Sequence, residues 1–168
     1  MQSEEGVVRP SDVSIDDGFA VLPVRIKDAG ESGGIENLLG EALANGTFRL
    51  VYTPGLTPGF AAEDVVRYVA EKEDIELVER GMKVGVQFFH PALDERVISH
   101  IEAQVAAVGG SIDGHLKNLL VLTFPVTVRV KNIQSFLQEY ENRFGVEWFF
   151  VNLFTEEGEP LGWWKDYV

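Results

Sequence analysis

The chain of 168 residues is 45% hydrophobic and 11% aromatic, which is enough to bury a core without covalent cross-links. It has no cysteine, so disulfides and thiolate metal sites are excluded. Its 27 acidic residues outnumber 14 basic ones and give a net charge of −13. A field of that sign repels phosphate backbones, so it disfavours nucleic-acid binding and favours cationic partners.

The N-terminal segment is acidic and carries few large apolar side chains. Residues 1–17 have no basic start followed by an apolar run, so they predict a flexible acidic arm rather than a signal peptide. No stretch approaches the roughly 20 apolar residues that a membrane span requires. We therefore expect a cytoplasmic protein that does not enter the membrane.

Residues 18–81 predict a β-rich N-terminal subdomain. Strands are expected at residues 19–26, 47–53, 65–70 and 75–79, with the last two forming a hairpin. Residues 35–44 are ambiguous, because their apolar spacing fits a short helix whereas Gly40 weakens it. The Pro- and Gly-rich stretch 54–59 predicts an irregular loop. This half is expected to be a small antiparallel sheet or a partly open barrel.

Residues 82–154 predict a ferredoxin-like βαββαβ subdomain, so the chain as a whole is expected to be α+β. The first helix is expected to begin at His90 and Pro91 and to end at Gly109, and the second to end at Gly145. Strands flank these helices at residues 84–89, 111–113, 119–124 and 146–154. Right-handed crossovers then place both helices on one face of the sheet.

Both faces of this second sheet carry apolar side chains. In the last strand, successive side chains point to opposite faces of the sheet. One face carries Val146, Trp148, Phe150 and Phe154, and the other carries Phe149, Val151 and Leu153. The helices cover one face, and the other needs a cover as well. The alternatives are the N-terminal half, the tail, a second copy or a partner, and we favour cover from within the chain.

Residue types that carry out catalysis or bind metals do not converge in the sequence. His90 and Asp94 form the only close pairing of potential ligands, and a third is lacking; His100 is expected on the solvent side of its helix, and His115 in a turn. There is neither a Gly-x-Ser-x-Gly motif nor a glycine loop that precedes a helix and cradles phosphate. We therefore expect no catalytic residues, metal or other cofactor.

The tail at residues 155–168 is the most distinctive segment. It contains adjacent tryptophans, which predict an aromatic anchor for a partner, since Trp and Tyr contribute strongly to interfaces. The alternative is that the aromatic side chains fold back over the sheet. Phe60, at the end of the Pro/Gly loop, has the same two interpretations. The predicted partner-binding residues are Trp163, Trp164, Tyr167, Phe60, Glu156 and Glu157.

The first half resembles an uncharacterised bacterial domain family. The resemblance is carried by three motifs. Residues 36–50 are a segment with a turn glycine followed by an aromatic-Arg-Leu strand, Pro54 lies in a loop, and residues 64–66 are an Asp-Val-Val strand. In that family a β-rich half precedes a ferredoxin-like half, which is similar to residues 82–154. The chain departs from the family pattern at residues 55–57, at Glu63 and around Gly81. The resemblance implies a fold and no activity.

Three functions are consistent with the sequence. The first is a non-enzymatic acidic protein-binding module, such as an inhibitor or immunity protein that neutralises a basic toxin or enzyme, because the charge favours association with a cationic target. The alternative is a small-molecule-sensing regulatory domain, and the third is an enzyme that uses the cleft between the two halves. The protein is expected to be a monomer or a homodimer.

Overall fold

The computed structural model describes residues 13–27 and 33–168, which form two antiparallel sheets and two helices. The helices are α1, Glu95–Ala107, and α2, Val130–Phe144. The six strands of the first sheet are β1 Ile15–Asp16, β2 Phe19–Ile26, β3 Gly34–Ala42, β4 Phe48–Leu50, β5 Val65–Val69 and β6 Asp74–Glu79. The four strands of the second are β7 Lys83–Phe89, β8 Ser111–Leu116, β9 Leu119–Pro125 and β10 Glu147–Phe150. The predicted α+β class is confirmed. None of the helices in these ranges is long and apolar enough to cross a membrane.

The first sheet is a meander in which each strand pairs with the next, from β1 to β6. The sheet curves so that β2 approaches β6. The backbone N–H of Arg25 on β2 donates to the carbonyl of Glu73, just before β6, at 2.7 Å. The Tyr68 hydroxyl also donates to the Pro23 carbonyl across this gap. The side chains that point inward form one core: Ala20, Leu22, Val24, Leu38, Phe48, Leu50, Val66, Tyr68 and Ile75. The result is a partly open barrel, which is one of the two forms that the sequence left open for this half.

The ambiguous segment at residues 35–44 is a strand for most of its length. β3 pairs with β2 from Gly34 to Glu41, so that Leu38 lies opposite Leu22 and both side chains are buried. A Cβ at Gly40 would lie 3.0 Å from the Cβ of Phe48, so glycine permits the close approach of β4. Ile15 and Asp16 of the predicted arm pair with β2, and residues 1–12 of that arm lie outside the described residues.

The second sheet has the strand order β10-β7-β9-β8, which is the ferredoxin-like arrangement of a βαββαβ unit. Both helices pack on the same face, because residues of α1 and α2 share one core with alternate residues of the strands. This core contains Val84, Val86, Phe88, Ile101, Val105, Leu120, Leu122, Phe124, Val126, Val130, Ile133, Leu137, Tyr140, Val146 and Leu153.

The predicted start of the first helix and the predicted position of His115 are wrong. Helix α1 begins at Glu95, because the Asp94 carboxylate accepts from the backbone N–H of Val97 at 2.9 Å and caps the helix there. His90 instead accepts from the backbone N–H of Ala92 through Nδ1, at 3.0 Å. His115 lies within β8 rather than in a turn, since the pairing of β8 with β9 continues to Leu116.

The last strand is shorter than the alternation predicts. β10 ends at Phe150, and residues 151–153 bend. Leu153 therefore returns to the core on the helix side of the sheet, whereas the prediction placed it on the same face as Phe149. The bend brings the tail, which ends in a 3-10 helix at Gly162–Tyr167, against this core.

The connection between β4 and β5 covers part of the second face of the ferredoxin-like sheet. A Cβ at Gly85 on β7 would lie 2.7 Å from Cγ2 of Thr53 and 3.6 Å from the Cβ of Ala61. The N-terminal half is thus the cover at this end, one of the alternatives left open by the sequence. Towards the other end, Leu116 and Phe149 are 52% and 54% exposed.

Candidate functional site

A buried ion pair anchors the end of the covering connection. The side chain of Asp64 is fully buried and accepts from the backbone N–H groups of Ala61 at 2.9 Å and Gly81 at 2.8 Å. Arg80 Nη1 donates to the same carboxylate at 2.9 Å and to the carbonyl of Gly59 at 2.9 Å. Burial raises the pKa of Asp64, against the opposing effects of these hydrogen bonds and of Arg80. All its partners lie within the protein, so Asp64 has a structural role.

A second network joins the two halves through Asp113, which lies at a bulge between β8 and β9. Asp113 Oδ2 accepts from the backbone N–H of Thr53 at 3.0 Å and from the Thr123 hydroxyl at 2.7 Å. The hydroxyls of Thr53 and Thr123 are 2.6 Å apart. Because the single hydroxyl proton of Thr123 is donated in the hydrogen bond to Asp113, the Thr53 hydroxyl donates to Thr123 and accepts from the N–H of Ala62, at 3.0 Å.

Glu36, on β3 of the first sheet, holds the Pro/Gly loop in place. Its carboxylate accepts from the backbone N–H of Gly55 at 2.8 Å, from that of Leu56 at 3.1 Å and from the Thr57 hydroxyl at 2.6 Å. Gln87 on β7 donates to the carbonyl of Gly55 at 2.7 Å. The loop is therefore bound to both sheets, and its backbone conformation is set by the Glu36 carboxylate.

Glu36 and Asp113 open into one cleft of about 400 Å³ between the two sheets. Among the ion pairs of the described residues, none involves either carboxylate, so their hydrogen bonds come from neutral donors only. Tyr52 and Leu116 also line the cleft and are each 52% exposed. The remaining lining residues are Asn37, Leu38, Leu39, Thr53, Pro54, Gly55, Gly114, His115 and Val121. In the described part of the chain, the cleft thus combines apolar surface with two carboxylates that form no ion pair.

The tail tryptophans fold back onto the core, which was the alternative interpretation of the tail. The indole N–H of Trp163 donates to the carbonyl of Asn152 at 2.9 Å, and that of Trp164 to the carbonyl of Leu153 at 2.8 Å. Both rings and Tyr167 are half-buried against the ferredoxin-like core. Contact with a partner through these three residues stays a prediction, and it is limited to their exposed parts.

The other predicted partner-binding residues lie elsewhere. Phe60 is half-buried against the core of the barrel. Glu156 and Glu157 are exposed in a turn after Phe154. The structure therefore places the six predicted residues on two cores and a turn, and none of them lines the cleft.

Sequence reasoning missed the residues that build the cleft. Glu36, Thr53 and Asp113 are far apart along the chain, and short motifs do not connect them. One local signal was present, since Thr123 is a polar residue within the apolar strand at residues 119–125 and therefore required a buried partner.

The histidines are dispersed. His100 and His115 are exposed, and His90 is half-buried. Within residues 13–27 and 33–168, no group of three or more His, Asp or Glu side chains is placed to hold a metal ion.

A partly open meander barrel packs on a ferredoxin-like unit, and the cleft lies between their two sheets. The chain belongs to the family described as a domain of unknown function, DUF4265, whose sequence profile matches residues 36–148. This confirms the resemblance to an uncharacterised domain family. The fold is similar to that in the "Novel crystal structure of a hypothetical protein from Neisseria gonorrhoeae", with a TM-score of 0.61 and 18% identity over 82% of this chain and 96% of that one. No curated protein matches the chain.

Proposed function

We propose that the protein is a non-enzymatic module that binds a basic protein, as an inhibitor or immunity protein does, and that the cleft between the two sheets receives a Lys or Arg side chain of that partner. The observation that carries the proposal is the pair of carboxylates, Glu36 and Asp113, which share the cleft and take part in none of the ion pairs found within residues 13–27 and 33–168. Together with the net charge of −13, they attract a cationic group into this position.

The carboxylates are held in position before a partner arrives. Each accepts hydrogen bonds from at least two neutral groups, so neither side chain loses much conformational freedom on binding. An oxygen of a carboxylate can accept more than one hydrogen bond, so Oδ1 of Asp113, which accepts from Ser111 at 2.9 Å, can accept another. A guanidinium group suits this arrangement, because its donors are fixed in a plane.

Apolar side chains at the rim provide the contact area that a single ion pair lacks. Tyr52 and Leu116 are each 52% exposed at the cleft. On the outer surface of the barrel, Val21 is also 52% exposed and lies opposite Leu39, which lines the cleft. These side chains come from both halves, and an interface of the usual size, about 800 Å² per partner, would extend from the cleft over them.

The test begins with chemical cross-linking of the protein to partners in a native bacterial lysate, followed by mass spectrometry and affinity measurement with the purified partner. The variant Leu116→Arg places a positive charge at the rim, and Tyr52→Ala removes an aromatic contact. We expect a basic partner whose affinity falls at least tenfold with either variant, as is usual for central interface residues. The association rate should also fall as salt rises, because electrostatic steering is screened.

Leu77→Arg is the matched control. Leu77 lies on β6, is 42% exposed and does not line the cleft, so the substitution makes the same change of charge elsewhere. Loss of affinity with the control as great as with Leu116→Arg would contradict the proposed location. Retention of full affinity by both cleft variants would contradict it as well. The predicted contacts at Glu156 and Glu157 are tested in the same assay by Glu→Gln variants.

A further inference from the structure

A second cavity lies on the opposite side of the ferredoxin-like unit, where the beginning of α1 meets the end of α2. Its volume is about 450 Å³. Its polar lining residues are His90, Asp94, Arg96, His100 and Tyr140. Its apolar lining residues are Ala92, Val97, Ile101 and Phe144. This size is within the range of sites for small molecules, and the lining combines apolar side chains with polar groups, as such sites do.

Tyr140 is the unusual residue of this cavity. Its side chain belongs to the core, with only 8% of the residue exposed, and its ring packs against those of Phe88 and Phe144 at centroid distances of 5.7 and 5.6 Å. The hydroxyl is buried and has no hydrogen-bond partner among the described residues. An unpaired buried hydroxyl is costly, so it requires an explanation such as a ligand. Burial raises the pKa of Tyr140, so the hydroxyl keeps its proton and is available as a donor.

The other polar groups of the cavity are mainly donors. His90 accepts from Ala92 through Nδ1, so in the neutral ring Nε2 carries the proton. Arg96 lies in the first turn of α1 and forms no ion pair within the described part of the chain. The one carboxylate, Asp94, is already engaged as the cap of α1. Donors therefore outnumber free acceptors, and the positive end of the helix dipole points to the same place.

The geometry points to a binding site for a small carboxylate with an aromatic or aliphatic body. The carboxylate accepts from Arg96 or His90 and, once the side chains that cover it move aside, from the Tyr140 hydroxyl. The body lies against Phe144, which is 45% exposed at the end of α2. This site is separate from the proposed protein-binding cleft and does not depend on it, because the two share no lining residues.

The test uses benzoate and 3-phenylpropionate as probes, with benzyl alcohol and inorganic phosphate as comparisons, in ¹H–¹⁵N NMR titrations of the full chain. We expect saturable shifts at residues of the cavity with the carboxylates. Benzyl alcohol should bind much more weakly, because it lacks the anionic acceptor, and phosphate alone should bind weakly, because it lacks the apolar body. Stronger binding of phosphate than of either carboxylate would overturn the assigned ligand class.

The variant Tyr140→Phe isolates the hydroxyl. Because the hydroxyl has no partner among the residues that the structure describes, the variant should fold with unchanged or higher thermal stability. It should bind benzoate about tenfold more weakly, as expected for loss of a hydrogen bond to a charged group. Tyr52→Phe, in the other cleft, is the matched control and should bind benzoate as the wild type does. The site is refuted if no carboxylate saturates at the cavity, or if Tyr140→Phe binds benzoate with wild-type affinity. Arg96→Gln, an exposed substitution, provides a second variant that should weaken binding.

Discussion

Arg80 donates a hydrogen bond of 2.9 Å to the fully buried carboxylate of Asp64. The guanidinium carbon of the same arginine lies 5.4 Å from the centre of the Trp163 ring, in the tail. A single side chain between β6 and β7 thus contacts both the connection that covers the second sheet and the tail that completes its core. The stability of both halves should depend on it.

Replacement of Asp64 by Asn should destabilise the protein by about 1–3 kcal/mol, because an amide nitrogen takes the place of an oxygen that accepts from buried N–H groups and cannot accept from them. The free energy of unfolding in urea measures this effect. Glu41→Gln is the control, since Glu41 pairs with Arg49 at 3.4 Å on the surface, where an ion pair contributes about 0–1 kcal/mol. Equal effects of the two substitutions would show that Asp64 does not have the stabilising role that its contacts indicate.

The cost of Asp64→Asn should depend on pH. Because the pKa of Asp64 is raised in the folded protein above 3.8, its value in the unfolded chain, the folded state binds the proton more strongly. The stability that this group contributes is then fully present below its unfolded pKa and is lost as pH rises through its folded pKa. Unfolding of wild type and variant at about pH 4 and about pH 7 should give a larger difference at the lower pH. A difference that grows with pH would contradict the direction of the shift.

Gly85→Ala should destabilise the protein by about 1–3 kcal/mol through overpacking. The added Cβ would lie 2.4 Å from Cγ2 of Val151 and 2.7 Å from Cγ2 of Thr53, so the connection has to move away from the sheet. Gly114→Ala in β8 is the matched control, because its nearest neighbour would be at an ordinary 3.4 Å. Thermal melting compares the two variants, and a lower melting temperature for Gly114→Ala would argue against close contact at Gly85.

Trp163→Ala should destabilise the protein by about 2–4 kcal/mol, because it removes a half-buried ring and the hydrogen bond to the Asn152 carbonyl. Phe149→Ala removes another large aromatic side chain, but Phe149 is 54% exposed, so the cost should be below about 1 kcal/mol. Chemical denaturation measures both. A Trp163 variant as stable as the wild type would mean that the tail contributes contact surface for a partner rather than core.

The fold of the second half was predictable because local signals agree with one another there. Gly145, for example, ends α2 in the left-handed conformation, with φ of 67°, as its position after an amphipathic segment predicts. The start of α1 was misplaced because Pro91 and Asp94 both fit a helix beginning, and only the capping hydrogen bond to Val97 decides between them. The alternation of β10 continues in sequence beyond Phe150 and therefore predicted a longer strand. The strand ends at Phe150, and the carbonyls of Asn152 and Leu153 accept from the tail tryptophans.

The candidate sites were less predictable than the fold. Glu36 and Asp113 line the same cleft because the meander brings β3 beside the Pro/Gly loop and the bulge in β8 turns Asp113 towards Thr53. The isolation of the Tyr140 hydroxyl is likewise a property of packing, since Tyr140 has the spacing of an ordinary core residue in α2. Such features depend on tertiary contacts that a single sequence does not encode in short motifs.

The contact between Thr53 and the second sheet has a consequence for how the protein evolves. The Thr53 hydroxyl binds that of Thr123, and its methyl group occupies the space beside Gly85. A larger side chain at position 85 would therefore require smaller ones at positions 53 and 151, and loss of the Thr123 hydroxyl would leave that of Thr53 without its acceptor. Recombination that joined one half to its counterpart from a distant homologue would break this match, so we expect the two halves to be inherited together and positions 53, 85 and 123 to covary.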